Sequence, residues 1–387
     1  MSERSDGYRT GTDEASGAGG ASAVMENPPS IEMSGLRLTY SDGTEAVRDV
    51  SLSVPAGEFF GFLGPNGAGK TTAIKVLATL LKPTDGKVEV NGFDAESEPR
   101  KIRESIGYMA QEIGVDEELT ARENLQFACA GYGVPRSERP GRIDELLDLV
   151  DLLDVADQKA ENFSGGMQKR LDAATALVHR PPLVFLDEPT TGLDPKARNC
   201  LWEYFREIND EGTTIFLTTQ YLEEADQLCD RISVILDGEI VATGSPADLK
   251  QQVGGEILNI DVETDGESSD AGDGRGDTDG ASDDPREQAA AVARDSDLFE
   301  NGATIEKSDE GISVTSQRAR SRGTDLLVAL RDAGLTVTGF NVRAPTLDDV
   351  FLAITDGEER EPDRETGSDD ADEAAAARTA TDGGRRR

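Results

Sequence analysis

The stretch Gly64-Pro65-Asn66-Gly67-Ala68-Gly69-Lys70-Thr71-Thr72 decides the fold. It follows an apolar run, Phe59 to Leu63, and precedes a segment with helical periodicity. The pattern G-x-x-x-x-G-K-[ST] between a strand and a helix is the phosphate-binding loop, in which backbone N–H groups surround phosphate oxygens. We expect all nine residues to bind a nucleoside triphosphate, with Lys70 on the β- and γ-phosphates and Thr71 on Mg²⁺. The alternative, a glycine-rich turn without a ligand, is weakened by the motifs downstream.

A second apolar run, Leu183 to Leu186, is followed directly by Asp187 and Glu188. Continuous apolar runs are typical of strands buried on both faces of a sheet, and ligands of open α/β sheets bind at the carboxyl ends of the strands. We therefore expect Asp187 to hold Mg²⁺ through water. Glu188 is expected to orient or deprotonate the water that attacks the γ-phosphate.

A third motif, Ser164-Gly165-Gly166, stands about twenty residues before this strand, at the start of a helical segment. Serine is a good helix cap, and the two glycines expose N–H groups at the positive end of the helix dipole. The motif predicts a second anion site. A purely structural cap explains this stretch equally well when it is taken alone.

The charge balance of the chain is extreme. Acidic residues outnumber basic ones by 77 to 39, which gives a formal net charge of −38. Such a charge argues against nucleic acid as a partner, because phosphates select basic surfaces. The composition, in which arginine outnumbers lysine, resembles that of proteins from salt-accumulating halophiles and suggests a haloarchaeal origin. An alternative is that the terminal segments alone carry the excess.

Nothing in the sequence predicts a membrane span or a signal peptide. No apolar run reaches the roughly 18 residues needed to cross a bilayer. The N-terminus lacks a basic region followed by an apolar one. We therefore expect a cytoplasmic protein that reaches a membrane only through a partner.

Composition shifts divide the 387 residues into four parts. Residues 1–29 and 357–387 are rich in small and charged residues and are expected to be disordered. Residues 30–252 carry the motifs and include a helical insert at about 112–165. Residues 253–356 read as β-α-β-β-α-β, the order of a small ferredoxin-like α+β domain, with an acidic disordered insertion at 264–285.

The motifs, with Gly192-Leu193-Asp194 after the second carboxylate, resemble those of ATP-binding-cassette (ABC) transporter subunits, over residues 31 to about 250. The resemblance implies an α/β P-loop NTPase fold with a mixed-sheet core, an antiparallel β layer and a helical insert. Gln220, in Thr-Thr-Gln-Tyr-Leu-Glu-Glu-Ala-Asp, and the segment Pro345 to Leu352 are similar to the daunorubicin-resistance branch of drug-export ATPases.

The resemblance also assigns roles by position. Tyr40 matches the aromatic residue that stacks on adenine, and Gln111 matches a glutamine that contacts Mg²⁺ and water and links to the transmembrane partner. Ser164 and Gly166, with Gly165 between them, match signature residues that grip the γ-phosphate held by the opposite subunit. Asp194 matches an aspartate that communicates across the dimer. Hydrolysis would then require a head-to-tail homodimer.

Two positions depart from the family pattern. Gln220 stands where a histidine is usual; glutamine can still hydrogen-bond the γ-phosphate, but it cannot carry a positive charge. Met167 replaces the usual glutamine of the signature, which weakens a polar contact and leaves the backbone donors intact. A slower or differently gated hydrolysis is compatible with the first change.

The sequence therefore predicts an ATPase whose catalytic set is Glu188, Gln220 and Gln111, with ATP and Mg²⁺ as its cofactors. We expect it to drive efflux, of drugs by branch analogy, through a separate permease on the inner face of the cell membrane. A soluble ABC ATPase acting on a cytosolic assembly is the alternative. The transported substrate is not encoded in this chain, because its binding site lies in the permease.

Overall fold

The computed structural model describes residues 28–263, 284–299 and 303–359. These residues form two compact units that divide the chain between Thr243 and Gly244. None of the helices in the described ranges combines the length and apolar character that a membrane span requires.

The first unit combines strands and helices in alternation. Its strands are β1 (Ile31–Thr39), β2 (Glu45–Val54), β3 (Phe59–Leu63), β4 (Asp85–Val90), β5 (Phe93–Asp94), β6 (Ile106–Met109), β7 (Leu183–Asp187), β8 (Thr214–Thr219), β9 (Arg231–Leu236) and β10 (Glu239–Gly244). Its helices are α1 (Lys70–Leu77), α2 (Pro99–Ser105), α3 (Ala121–Gly131), α4 (Arg139–Leu149), α5 (Gly165–Thr175), α6 (Pro195–Asp210) and α7 (Leu222–Leu228).

The central sheet has the strand order β10-β9-β3-β8-β7-β6. β3 pairs in parallel with β8 and β9, and β7 pairs in parallel with β6 and β8. Every residue of β3, β7 and β8 is buried, as continuous apolar runs predict for strands covered on both faces. Because these strands are parallel, their carboxyl ends meet at one edge, where the chemistry-bearing residues follow.

A second sheet, β2-β1-β4-β5, is antiparallel and packs on the first. Side chains such as Ile31 and Met33 of β1 share a hydrophobic core with Phe60 and Phe62 of β3 and Ile74 of α1. This is the predicted antiparallel layer. Strand β6, at the edge of the central sheet, is not predicted from the sequence; it has four residues, one of them Gly107.

Helices α3 and α4 lie between β6 and α5, in the interval where the helical insert was expected. Helix α3 begins with a capping box, in which Thr120 Oγ1 accepts from the backbone N–H of Glu123 and the Glu123 carboxylate accepts from the backbone N–H of Thr120. The reciprocal bonds fix the start of the helix.

The second unit follows the predicted β-α-β-β-α-β order between two further helices. Its elements are α8 (Pro246–Gln252), β11 (Glu256–Val262), α9 (Pro285–Asp295), β12 (Thr304–Lys307), β13 (Gly311–Ser316), α10 (Ala319–Asp332), β14 (Val337–Arg343) and α11 (Leu347–Glu359). The sheet order β12-β13-β11-β14, with antiparallel pairing throughout, is the ferredoxin-like arrangement. Helices α9 and α10 cover one face through Ala289, Ala293, Leu326 and Leu330.

The unit boundaries differ from the predicted ones in two places. Helix α8, which was expected to close the first domain at residue 252, belongs to the second unit because it packs against α11. Helix α11 continues to Glu359, past the predicted end of the domain at residue 356. Most of the segments predicted to be disordered, residues 1–27, 264–283 and 360–387, lie outside the described residues.

Candidate active site

The phosphate loop connects β3 to α1 and depends on two glycines. A Cβ atom on Gly64 would lie 2.3 Å from the carbonyl oxygen of Ile235. Gly69 has φ of 102°, and a Cβ atom there would lie 2.2 Å from the carbonyl oxygen of Ala46. Any other residue at either position would therefore force the loop out of this shape.

Lys70, the first residue of α1, is almost completely buried inside the loop. Its Nζ atom donates hydrogen bonds to the carbonyl oxygens of Gly64 at 2.8 Å and Pro65 at 3.0 Å. The same ammonium lies 3.2 Å from Glu188 Oε1. These partners hold the charge of Lys70 at the centre of the loop.

Asp187 ends β7 beside the loop. Its Oδ1 atom accepts hydrogen bonds from the hydroxyls of Thr71 at 3.1 Å and Thr218 at 2.6 Å. Burial raises the pKa of Asp187, and the bonds from Thr218 and Thr71 oppose that rise. Its buried Oδ2 atom has no hydrogen-bond partner among the described residues. A buried carboxylate oxygen next to a threonine hydroxyl matches the hard oxygen ligands that Mg²⁺ prefers, so these residues fit that ion.

Glu188 has φ of 49°, a left-handed conformation that turns the chain sharply after β7. Its backbone N–H donates to the Thr218 carbonyl at 3.0 Å. Its Oε2 atom accepts from Gln111 Nε2 at 3.2 Å and from the Thr191 hydroxyl at 3.4 Å. Non-glycine residues in this region of backbone space cluster at functional sites. The structure thus brings Lys70, Gln111 and Glu188 together.

Two other predicted residues border this cluster. Tyr40 follows directly after β1, is 40% exposed, and shares a hydrogen bond of 2.9 Å between its hydroxyl and Thr72 Oγ1. The ring is therefore exposed and anchored at the loop. Gln220 lies between β8 and α7 and is partly buried.

The residues predicted for the signature motif and for dimer communication lie at the starts of helices, where Ser164 and Asp194 bond to backbone N–H groups of α5 and α6. Ser164 caps α5, and its Oγ atom accepts from the Met167 N–H at 3.3 Å. Asp194 caps α6 by accepting from the Ala197 N–H at 2.9 Å. A Cβ atom on Gly166 would lie 3.0 Å from Ala197 Cβ, so the starts of α5 and α6 are neighbours.

Sequence reasoning missed three residues that touch this cluster: Thr191, whose hydroxyl donates to Glu188, and also Thr218 and Lys169. Thr218 bonds to Asp187 and to the N–H of Glu188, and it lies in register with Asp187 on β8, a pairing that no local sequence signal shows. Lys169 on α5 is buried and donates to the carbonyl oxygen of Gln111 at 3.3 Å. Burial lowers the pKa of Lys169, while the nearby carboxylate of Asp172 opposes this. The signal in the sequence for Lys169 was a lysine at a position on the buried face of α5.

The site provides a phosphate-binding loop that contains Lys70 and a cation site at Asp187. It also provides a candidate general base, Glu188, which Gln111 contacts. This combination on a parallel sheet defines the class of P-loop nucleoside triphosphatases.

Comparison with known proteins narrows the class. The family described as ABC transporter matches residues 47–191. The daunorubicin/doxorubicin resistance ATP-binding protein DrrA of Streptomyces peucetius is 41% identical over 84% of this chain and 92% of its own length. The linearmycin resistance ATP-binding protein LnrL of Bacillus subtilis is 33% identical over 84% of this chain and 98% of its own. The chain belongs to the ATP-binding subunits of ABC transporters and is an ATPase of that family.

A solved structure supports the same family and shows its assembly. An ATP-binding cassette in a dimeric, post-hydrolysis state bound to ADP and Pi is 29% identical, with a TM-score of 0.52 over 56% of this chain and 98% of that one. The fold class predicted from the sequence is confirmed. Cassettes of this family form dimers in solved structures, one of them bound to ADP and Pi. As ABC transporter subunits, they work with membrane permeases.

Proposed function

We propose that this chain hydrolyses ATP to drive export of drug-like compounds through a separate permease. The observation that carries the proposal is the cluster of Lys70, Gln111 and Glu188 at the carboxyl edge of the parallel sheet. The names of the relatives, which are resistance proteins for daunorubicin, doxorubicin and linearmycin, support export of such compounds. They do not favour action on a cytosolic assembly.

In this proposal the residues near the loop have defined tasks. Backbone N–H groups of residues 64–72 and the Lys70 ammonium bind the phosphates, and the Tyr40 ring stacks on adenine. Thr71, Asp187 and Gln111 would hold Mg²⁺, which, when bound, neutralises charge on the phosphates. Glu188 accepts the proton of the attacking water, Gln111 fixes that carboxylate, and Gln220 donates a hydrogen bond to the γ-phosphate.

The signature and dimer residues act across a homodimer in this proposal. Ser164, Gly165 and Gly166 of one copy donate to the γ-phosphate bound by the other copy, and Asp194 transmits the state of one site to the other. The dimeric cassette structure supports this arrangement. We further propose that the chain sits at the inner face of the membrane through its permease and is adapted to high salt.

Deletion of the gene in its host tests the transport role. We expect deletion to raise cellular accumulation of a fluorescent anthracycline, and the wild-type chain to restore efflux. A Glu188→Gln chain should not restore it, whereas a matched Glu211→Gln chain, altered at an exposed position, should. Unchanged accumulation after deletion, together with absence of the chain from membranes prepared in high salt, would contradict export.

A further inference from the structure

Glu224 on α7 is a charged side chain with no exposed surface. Its Oε1 atom accepts two hydrogen bonds, from the Thr190 hydroxyl at 2.8 Å and from the Trp202 indole N–H at 3.0 Å. Both donors are themselves buried. Burial raises the pKa of Glu224, and hydrogen bonds with Thr219, Trp202 and Thr190 oppose that rise. A buried carboxyl group is destabilising unless hydrogen bonds compensate it, so these bonds hold Glu224 and its partners in place.

The three bonded residues belong to three different segments around the active site. Thr190 follows Glu188 by two residues, in the loop that also carries Asp194. Trp202 lies on α6, the helix that Asp194 caps. Glu224 follows Gln220 by four residues, on the helix that begins directly after it. One carboxylate therefore joins the segments that present the general base, the dimer contact and the γ-phosphate contact.

We infer that Glu224 is a positioning residue that couples the placement of Gln220 to the loop carrying Glu188 and Asp194. It makes no contact with the nucleotide in the proposed function, on which this inference rests. Movement of Gln220 toward a γ-phosphate carries α7 with it, and the bonds of Glu224 pass that movement to Thr190 and α6. Without those bonds the two loops respond to ATP independently.

The chain contains its own reporter for this junction. Trp202 is the only tryptophan among the 387 residues, and its N–H donates directly to Glu224. Indole emission therefore reports on one defined hydrogen bond. We expect addition of ATP with Mg²⁺ to shift the emission of the wild-type protein, and we expect the shift to be lost when Glu224 can no longer accept the bond.

Three variants test the coupling. Glu224→Leu replaces the buried carboxyl group with an apolar side chain and removes both acceptor oxygens, and Glu224→Gln retains one acceptor oxygen and most of the volume. Thr190→Val removes one bond without altering Glu224 and serves if the leucine variant does not fold. Glu203→Gln, next to Trp202 on α6 with an exposed side chain, is the matched control.

We expect Glu224→Leu and Thr190→Val to lower kcat about tenfold or more while binding of a fluorescent ATP analogue changes less than about twofold. Glu224→Gln should recover kcat to within about threefold of the wild type, with part of the emission shift. Unchanged kcat in both Glu224→Leu and Thr190→Val, or an equal loss of nucleotide affinity, would overturn the inference. Hydrolysis that persists in Glu188→Gln would instead contradict the proposed site.

Discussion

Glu188 combines a left-handed backbone with two kinds of partner on its carboxylate. One oxygen lies 3.2 Å from the Lys70 ammonium, and the other accepts from Gln111. The turn at φ 49° is what aims the side chain toward the loop, because β7 would otherwise continue in the direction of the sheet. The backbone strain is thus used to orient the proposed base.

Replacing Glu188 by glutamine tests its assignment. The amide keeps the shape and the hydrogen bond to Gln111 but cannot take a proton from water. We expect kcat for phosphate release to fall by about 10²- to 10⁴-fold, with ATP still bound and the dimer trapped. Size-exclusion chromatography with ATP and a phosphate assay measure the two effects. Turnover at the wild-type rate would reject the role of Glu188.

Gln220 is the other residue whose exchange is informative. Histidine and glutamine can both donate a hydrogen bond to a phosphate oxygen, so we expect Gln220→His to retain ATPase activity. Histidine also gains a proton within the pH range of an assay, whereas glutamine does not. Steady-state rates from about pH 6 to pH 8 check both points. Complete loss of activity would show that the site needs the amide itself.

At the scale of elements, α5 links the signature motif to the segment that carries Gln111. Lys169 donates to the Gln111 carbonyl, and Asp172 Oδ1 accepts from the Gly114 N–H at 3.2 Å. Burial raises the pKa of Asp172 to about 6, while the Gly114 bond and Lys169 oppose the rise. Both charged groups lie on the buried face of the helix, so their contacts fix how the helix meets that segment.

The raised pKa of Asp172 gives a prediction with a defined sign. The folded protein keeps the proton of Asp172 up to about pH 6, and the unfolded chain loses it near the ordinary aspartate pKa of 3.8. The folded state therefore binds more protons in that window, and this contribution to stability is lost as pH rises through it. Asp172→Asn lacks the effect, so its free energy of unfolding relative to wild type should rise by up to about 3 kcal/mol across the window.

Denaturant unfolding of both proteins at several pH values in molar salt measures this difference. Taking the difference cancels the titration of the other groups, as long as Asp172→Asn leaves their surroundings unchanged. A difference that is flat with pH would mean that Asp172 titrates normally and is not penalised by burial.

The elements that sequence reasoning could predict are those whose pattern is local. Strands β3, β7 and β8 each contain a short apolar run, and the glycines of the loop allow few other structures. β6 was not predicted because a strand of four residues that includes a glycine is too short to show a periodic pattern. Contacts such as Thr218 to Asp187 depend on which strands are neighbours. That information resides in the sheet order, so the roles of Thr218, Lys169 and Glu224 required the structure.

For the whole molecule, the net charge of −38 is the dominant property. In roughly molar salt the Debye length is about 3 Å, so repulsion among the carboxylates is largely screened. We expect ATPase activity and the folded circular-dichroism signal to need high salt. Melting temperature and turnover measured from about 0.1 M to several molar KCl test this. Full activity and an undiminished melting temperature at the low end would refute it.

In the proposed function, the ion pair between Lys70 and Glu188 makes ATP binding an exchange of one anion for another at the lysine. The ammonium is already removed from water between two carbonyls and a carboxylate, so a γ-phosphate that replaces the carboxylate takes no hydration shell from it. The displaced Glu188 stays tethered to Gln111 and becomes free to receive a proton. The exchange that binds the substrate thus also frees Glu188 to act as a base. A ligand too short to reach Lys70 leaves Glu188 paired with the ammonium.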